Sequence, residues 1–421
     1  MNRLSITVLL GAACDDQGTV KIGDTAAANG GSGGIAGAGG TGATGGGLGG
    51  NGGAGGSGAS GGSGGSAGSG GSGGTGATGG SGGTAGTGMT GLFDADHVLV
   101  VPDADGLGFL DNTGAWVGRI PMGDLSGACG DCTGEGAAPD GDGLLYCWAE
   151  GFFDGGIARI DGFGATEWRI DGLAFPHGAI RDPFDDTVAA PEAGANAVNW
   201  YAGDGSSDTA VRRLNDADMG WTQDLPNGIE KVEHEGHVYI AVSNRGGGFG
   251  GIPGKVSFWD ITDPAAPTLL WKFPSTGDLD TPHGAIIRFY EGQWWLLWAH
   301  SYGAPGGGSV GLAVSDDIEV LPAYVADLVP EAPVGPFDFI RGVEITSDGW
   351  LWLTDSGPSE GLGGDNGRII KAPMPEGLVP TGASGAADED QVFVELIDAT
   401  VMTEGVANPF HGWLWVPTFA F

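Results

Sequence analysis

The chain has 421 residues, 89 of them glycine, with 16 Lys+Arg against 53 Asp+Glu and a formal net charge of −37. So acidic a protein is repelled by nucleic-acid phosphates and by anionic lipid surfaces, which excludes nucleic acid as a partner and leaves a membrane reachable only through a lipid anchor. Small-molecule or sugar ligands and divalent cations remain open.

Met1-Asn2-Arg3 supplies a positive charge, Leu4 to Leu10 a short apolar run, and Gly11-Ala12-Ala13-Cys14 a small-residue site. Residues 1–14 resemble a bacterial lipoprotein signal, which implies cleavage before Cys14 and lipidation of its thiol. Gly30 to Gly88 then holds 34 glycines in 59 residues, with no charged or aromatic side chain. Such a segment buries too little apolar surface to offset its ordering entropy, so residues 15–88 read as a disordered tether. As a Gly/Ser coil its core has an r.m.s. span of about 40–45 Å, enough to hold a folded domain clear of a membrane. The expectation is a monomer in the bacterial cell envelope, lipid-anchored or secreted, with one folded domain over residues 89–421.

The remaining thiols are Cys129, Cys132 and Cys147. Their spacing suits a Cys132–Cys147 staple across one hairpin with Cys129 free. A redox pair in Cys129-Gly130-Asp131-Cys132 is the alternative, although no thioredoxin-like βαβ pattern surrounds it.

Beyond the tether the apolar runs are short, β-branched or aromatic, and broken by Gly, Pro, Asp and Asn, the pattern of many short strands. A small unit recurs: Glu135-Gly136-Ala137, His177-Gly178-Ala179, Asn227-Gly228-Ile229, His283-Gly284-Ala285, Arg341-Gly342-Val343 and Glu404-Gly405-Val406. After each come a turn and an apolar strand ending in a polar residue: Glu150, Glu192, Asn244, His300, Asp355 and Thr418, 14 to 17 residues beyond the start of the unit. Constant offset within a hairpin and variable length between hairpins is propeller behaviour. Third strands follow at 156–161 and 254–260, and fourth strands at 166–170 and 391–394. The predicted fold is therefore all-β, a six-bladed β-propeller, with seven blades as the alternative. The run His97 to Met122 supplies strands B, C and D without an A. The strand at Glu404–Val406 is the spare A that closes the ring, and Trp413 to Val416 is left without a place.

The units Pro176-His177-Gly178-Ala179-Ile180, Pro226-Asn227-Gly228-Ile229 and Arg341-Gly342-Val343, with Asp348-Gly349-Trp350-Leu351-Trp352, resemble the NHL-repeat, gluconolactonase and virginiamycin B lyase propellers. Lys255 to Leu270, with Trp259-Asp260-Ile261-Thr262-Asp263-Pro264, is similar to LVIVD-type repeats. The gluconolactonase and paraoxonase resemblance implies a central divalent cation, calcium or a transition metal, on Glu404 or Glu135, Asn227 and His283. The Pro282-His283-Gly284 unit with His300 resembles the paraoxonase histidine pair, which implies His283 and His300 as catalytic groups. Fold alone does not carry these functions over.

An antiparallel hairpin returns to the face where it began, so strand A starts and strand B ends share one face of the disc. Glu135, His177, Asn227, His283, Arg341 and Glu404 are expected to ring the channel mouth, with Glu150, Glu192, Asn244, His300 and Asp355 outside them. His177, Asn227, Arg341, Glu192, Asn244 and Asp355 form the expected ligand-binding set. The leading expectation is a tethered propeller binding a small ligand or divalent cation there. A metal-dependent lactonase or esterase-like hydrolase or lyase, and a structural or interaction module, are the alternatives. Polar strand starts that merely satisfy loop backbone groups remain the plainer account. Pro102-Asp103-Ala104-Asp105-Gly106 and Pro139-Asp140-Gly141-Asp142-Gly143 read as Asp-Gly turns rather than calcium loops, since neither has the distal Glu.

Overall fold

A computed structural model describes residues 98–415, apart from 112, 128, 130–131, 151–153, 216–224, 246–253, 280, 305–306, 332–333, 347, 357–366, 387–390 and 407–412. The lipoprotein-like signal with Cys14, the tether and Thr418 lie outside the described residues.

The chain forms six sheets in succession, a six-bladed β-propeller. Blade 1 takes β1 (Val98–Asp103), β2 (Gly106–Asp111) and β3 (Trp116–Pro121) from the start of the domain, followed by a short helix, α1 (Met122–Ser126). Blade 2 is β4 (Cys132–Asp140), β5 (Gly143–Glu150), β6 (Asp154–Ile160) and β7 (Thr166–Asp171). Blade 3 is β8 (Ile180–Asp182), β9 (Thr187–Glu192), β10 (Ala197–Ala202) and β11 (Arg212–Asn215). Blade 4 is β12 (Pro226–His234), β13 (His237–Asn244), β14 (Lys255–Asp260) and β15 (Thr268–Phe273). Blade 5 is β16 (Pro282–Tyr290), β17 (Gln293–Ala304), β18 (Gly307–Ser315) and β19 (Ala323–Pro330), with β23 (Phe393–Leu396) added at its edge. Blade 6 is β20 (Ile340–Ile345), β21 (Trp350–Asp355), β22 (Gly367–Pro373) and β24 (Thr400–Val406). The last strand, β25 (Trp413–Trp415), returns to pair antiparallel with β1, Val98 opposite Trp415 and Val100 opposite Trp413.

Strand order corrects two expectations. Ring closure between the termini holds, but the closing A strand is β25 and not the strand at Glu404. That strand, β24, is the outermost of blade 6 and lies beside β22, with Glu404 opposite Arg368. In sequence the unit preceding β25 is His411-Gly412-Trp413, which follows the repeat as well as Glu404-Gly405-Val406 does; its first two residues lie outside the described residues. The segment around 391–394 is not a fourth strand of blade 6. It pairs in parallel with β19, Asp327 opposite Phe393, as a fifth strand on blade 5. A parallel pairing needs a long connection, and here it is residues 331–392, which include β20, β21 and β22 of blade 6.

Among the described residues six apolar cores hold the blades together, each lying between successive blades. The core between blades 5 and 6 packs Leu297 and Leu312 against Val343 and Leu353. Leu99, Val101 and Leu110 meet Trp352 and Ile369 between blades 6 and 1. Middle strands are covered on both faces, so β5 is buried throughout except at Glu150 and β13 except at His237. Outer strands are wet: in β3 only Ile120, and in β7 only Ile170, is buried. Burial on two faces explains why the middle strands read as continuous apolar runs rather than alternating ones.

The cysteine pairing is also corrected. Cys129 and Cys132 form the disulfide, and Cys147 is the free, buried thiol. Cys147 sits opposite Gly136 in the ladder, whereas Cys132 sits opposite Glu150, so the expected Cys132–Cys147 staple is out of register. The Asp-Gly turns hold guanidinium groups: Asp103 accepts from Arg119 at 2.5 and 2.7 Å, and Asp140 from Arg159 and Arg181 at 2.7 to 3.0 Å.

Candidate functional site at the channel mouth

The repeat unit is a bulge. Gly134 pairs with Trp148 and Gly136 with Cys147, so Glu135 is an extra residue on β4. Asn227 is extra between Pro226 and Gly228, and Arg341 between Ile340 and Gly342. Two residues, His283 and Gly284, oppose Ala299 alone. In blade 3 the bridge Pro176–Glu192 and the pair Ile180–Ala189 enclose three residues against two. An extra residue leaves the ladder and re-aims its side chain, a device common beside binding sites. Five inner strands thus each set one polar residue outside the ladder at the same place in the blade.

Glycine at the second position has a steric cause. A Cβ on Gly136 would stand 2.9 Å from the Cα of Gly178, and one on Gly228 would stand 3.0 Å from the carbonyl oxygen of His283. At these two positions the inner strands converge too closely for a side chain, whereas at Gly178 it is the backbone, with φ +140°, that favours glycine. The axial space they enclose is small, about 40 Å³, with room for only a few waters, and His177, Gly178, Glu230 and Gly284 are among its lining residues.

Glu135, His177, Asn227, His283 and Arg341 are each no more than 2% exposed. They form two close pairs. Glu135 Oε1 accepts from Thr133 Oγ1 at 2.6 Å, and its Oε2 lies 3.0 Å from His177 Nδ1 without hydrogen-bond alignment. Asn227 Nδ2 and His283 Nδ1 are 2.6 Å apart, and the Ser243 hydroxyl donates to the His283 carbonyl. Arg341 donates from Nε to Ser356 Oγ at 2.9 Å and lies over the Phe339 ring, whose edge meets His283.

Burial decides the charge states. Desolvation pushes the Glu135 carboxyl up to about 8, against the opposing pull of Arg341, Thr133 and Arg245. His177 is held well below the usual imidazole range, by burial first and then by Arg245 and Arg341. At neutral pH the pair is therefore a carboxylic acid beside a neutral imidazole. The same burial, with Glu135 close by, raises the Cys147 thiol well above its ordinary value. Arg245, 7% exposed at the end of β13, is a member of this site that the sequence reading missed. Its signal was its place, directly after the strand-end Asn244.

The outer positions divide. Glu192 accepts from Ala174 N, Asn199 Nδ2 and the Tyr201 hydroxyl, so it latches the loop leading to His177 and has little capacity left for a ligand. Asp355 accepts from Phe339 N at 2.8 Å and Arg368 Nε at 2.9 Å, and anchors the entry to β20. Asn244 is buried, and neither atom of its amide finds a partner among the described residues. His300 is fully buried, with Nδ1 3.2 Å from Asp327 Oδ1; Nε2 has no partner among the described residues. Ser309 and Tyr324 hold the two Asp327 oxygens at 2.9 and 2.6 Å.

The expected metal set of Glu404, Asn227, His283 and Glu135 is not assembled. Glu404 is exposed on the outer strand β24, displaced because β25 takes the inner place. Glu135 is largely protonated at neutral pH and lies in the field of two arginines. Among the described residues, no three His, Cys, Asp or Glu side chains in the channel come within ligand spacing of one another.

No protein-family model matches the chain, and no curated protein does. Among solved structures it is similar to one in a nidogen/laminin complex, at 13% identity and TM-score 0.46, over 76% of this chain and 98% of that one. It is also similar to a Bacteroides uniformis protein provisionally named 6-phosphogluconolactonase, at 11% identity and TM-score 0.44, over 76% and 100%. A functionally unknown protein from Desulfotomaculum acetoxidans matches at 12% identity and TM-score 0.45, over 75% and 99%.

Proposed function

We propose that this propeller binds a small hydroxylated ligand with a carboxylate or carbonyl end at its channel mouth, off the axis on the side of blades 4 and 5. The observation that carries the reading is a set of buried polar atoms there that have no partner among the described residues: Asn227 Oδ1, the Asn244 amide and His300 Nε2. Each such atom costs about 1–3 kcal/mol unless water or a ligand meets it. Arg245 and Arg341 supply a positive field beside a pair that burial keeps neutral, which favours an anionic or carbonyl oxygen over a cation. The test is calorimetry on the full-length protein with hydroxycarboxylates, their lactones and neutral sugars, with and without chelator. Saturable binding that survives chelation and weakens at least about tenfold in Asn227→Ala is the expected result. Absence of any saturable ligand would leave the interaction module.

A second reading, a lactone- or ester-directed hydrolase or lyase, is favoured by the His300–Asp327 pair. A carboxylate on Nδ1 sets the tautomer that leaves Nε2 as a base. Turnover of a lactone that is lost in His300→Gln and spared in Cys147→Ser would support it. Chelator-sensitive turnover would bring a divalent cation into the site. The N-terminal sequence supports a lipid-anchored envelope protein; Cys14→Ser should release it from membranes, and retention of the variant there would end that part of the proposal.

A further inference from the structure

We propose that His237, Asp260 and Glu319 form a divalent transition-metal site on the face of the disc opposite the channel mouth, joining blade 4 to blade 5. His237 opens β13 and Asp260 ends β14, both in blade 4, while Glu319 lies in the loop between β18 and β19 of blade 5. One ligand atom from each lies within 4.8 Å of the others, the spacing a single ion needs. The donor set is one imidazole and two carboxylates. Calcium and magnesium take all-oxygen shells, whereas imidazole selects for zinc and its neighbours.

The three groups are held rather than merely near. Asp260 Oδ1 accepts from Thr262 N at 2.8 Å, which turns Oδ2 to within 2.9 Å of His237 Nδ1. Tyr239 donates its hydroxyl to Glu319 Oε1 at 2.9 Å. The His237 ring lies nearly parallel on Tyr239, at 5.8 Å and 14°, and the stack continues through Phe258 and Trp271 into the core. Supports of this kind are what a metal site requires of its surroundings. His237 is 48% exposed on its side chain, so coordination positions remain for water.

Charge balance on this face points the same way. In blades 2 and 3 the carboxylates at the inner strand ends are met by arginines: Asp140 by Arg159 and Arg181, Asp182 by Arg212. Between blades 4 and 5 the same face offers two carboxylates, Asp260 at the end of β14 and Glu319 in the β18–β19 loop, and the His237 imidazole. Among the described residues no Lys or Arg pairs with either, and Asp317 adds a third carboxylate through its contact with Glu319 N at 2.9 Å. A bound divalent ion supplies the cation that the arginines supply elsewhere.

The experiment uses full-length protein stripped with chelator and titrated with zinc chloride by calorimetry. Calcium and magnesium are run in parallel to gauge the diffuse cation binding of so acidic a chain. One equivalent of zinc should bind in a distinct step that weakens about 10–100-fold in both His237→Ala and Glu319→Gln. Zinc should raise the melting temperature of the wild type and not of the variants, because the ion ties two blades. Melting of the metal-free variants at the wild-type temperature confirms that they fold. A wild type without a stoichiometric zinc step, or a step unchanged in both variants, overturns the proposal. Neither outcome bears on the channel mouth, which lies on the other face.

Discussion

Replacing Glu135 with glutamine tests whether burial or charge pairing rules the channel mouth. Glutamine keeps the shape of the protonated acid and cannot ionise. The wild-type carboxyl titrates near 8 in the folded protein against an ordinary 4.5, so the native state holds a proton that the unfolded chain has released. The sign follows from linkage: stability from this group is complete below the unfolded value and is lost as pH rises through the folded one. One proton of difference is worth about 1.4 kcal/mol per pH unit, so between about pH 6 and about pH 8 the wild type should lose about 2 kcal/mol relative to Glu135→Gln. His177, held low, acts in the opposite direction, and only as pH falls below the ordinary imidazole range. The assay is urea unfolding of both proteins at several pH values across that window. Parallel stability profiles would refute the reasoning, because they would mean that Glu135 is ionised in the native state and paired with His177 or an arginine.

Arg288 donates to Glu230 at 2.5 Å and to Glu344 at 2.6 and 2.9 Å, joining the inner strands of blades 4, 5 and 6, so Arg288→Ala leaves two partly or fully buried carboxylates facing each other. A loss of about 3–5 kcal/mol in urea unfolding is expected, and it should shrink at low pH as the carboxylates take up protons. Gly136→Ala should cost about 1–3 kcal/mol through overpacking at Gly178, read from the same unfolding curves. Removing residues 412–421 deletes β25 and exposes the edge of β1; the melting temperature should fall by roughly 5 °C or more. An unchanged melt would show that closure by β25 contributes nothing.

Much of the candidate site was legible because the repeat is local. The polar-Gly-apolar unit marks a bulge, with the glycine enforced by converging strands at Gly136 and Gly228, and that pattern picks out Glu135, His177, Asn227, His283 and Arg341 without any structure. Glu404 matched the same pattern and was misplaced. A three-residue unit says that a strand bulges or turns, not whether its neighbour is an inner or an outer strand. Arg245 was missed because the position after the strand end holds serine, Ser301 and Ser356, in blades 5 and 6; only its approach to the Glu135–His177 pair gives it a part.

By itself the sequence determined the all-β class, the recurrence of the hairpin, and the polar character of each inner strand start. These rest on periodicity and turn residues within about twenty positions of one another. Tertiary structure alone decided which strand closes the ring, that Cys129 rather than Cys147 pairs with Cys132, and that residues 393–396 join blade 5. It also decided that Glu192 and Asp355 are committed to loops while Asn244 and His300 keep polar atoms without a partner among the described residues. Each of those outcomes is a competition between contacts far apart in the chain, settled by register and burial. The protonation of Glu135 belongs with them, because desolvation is a property of the surroundings and not of the residue.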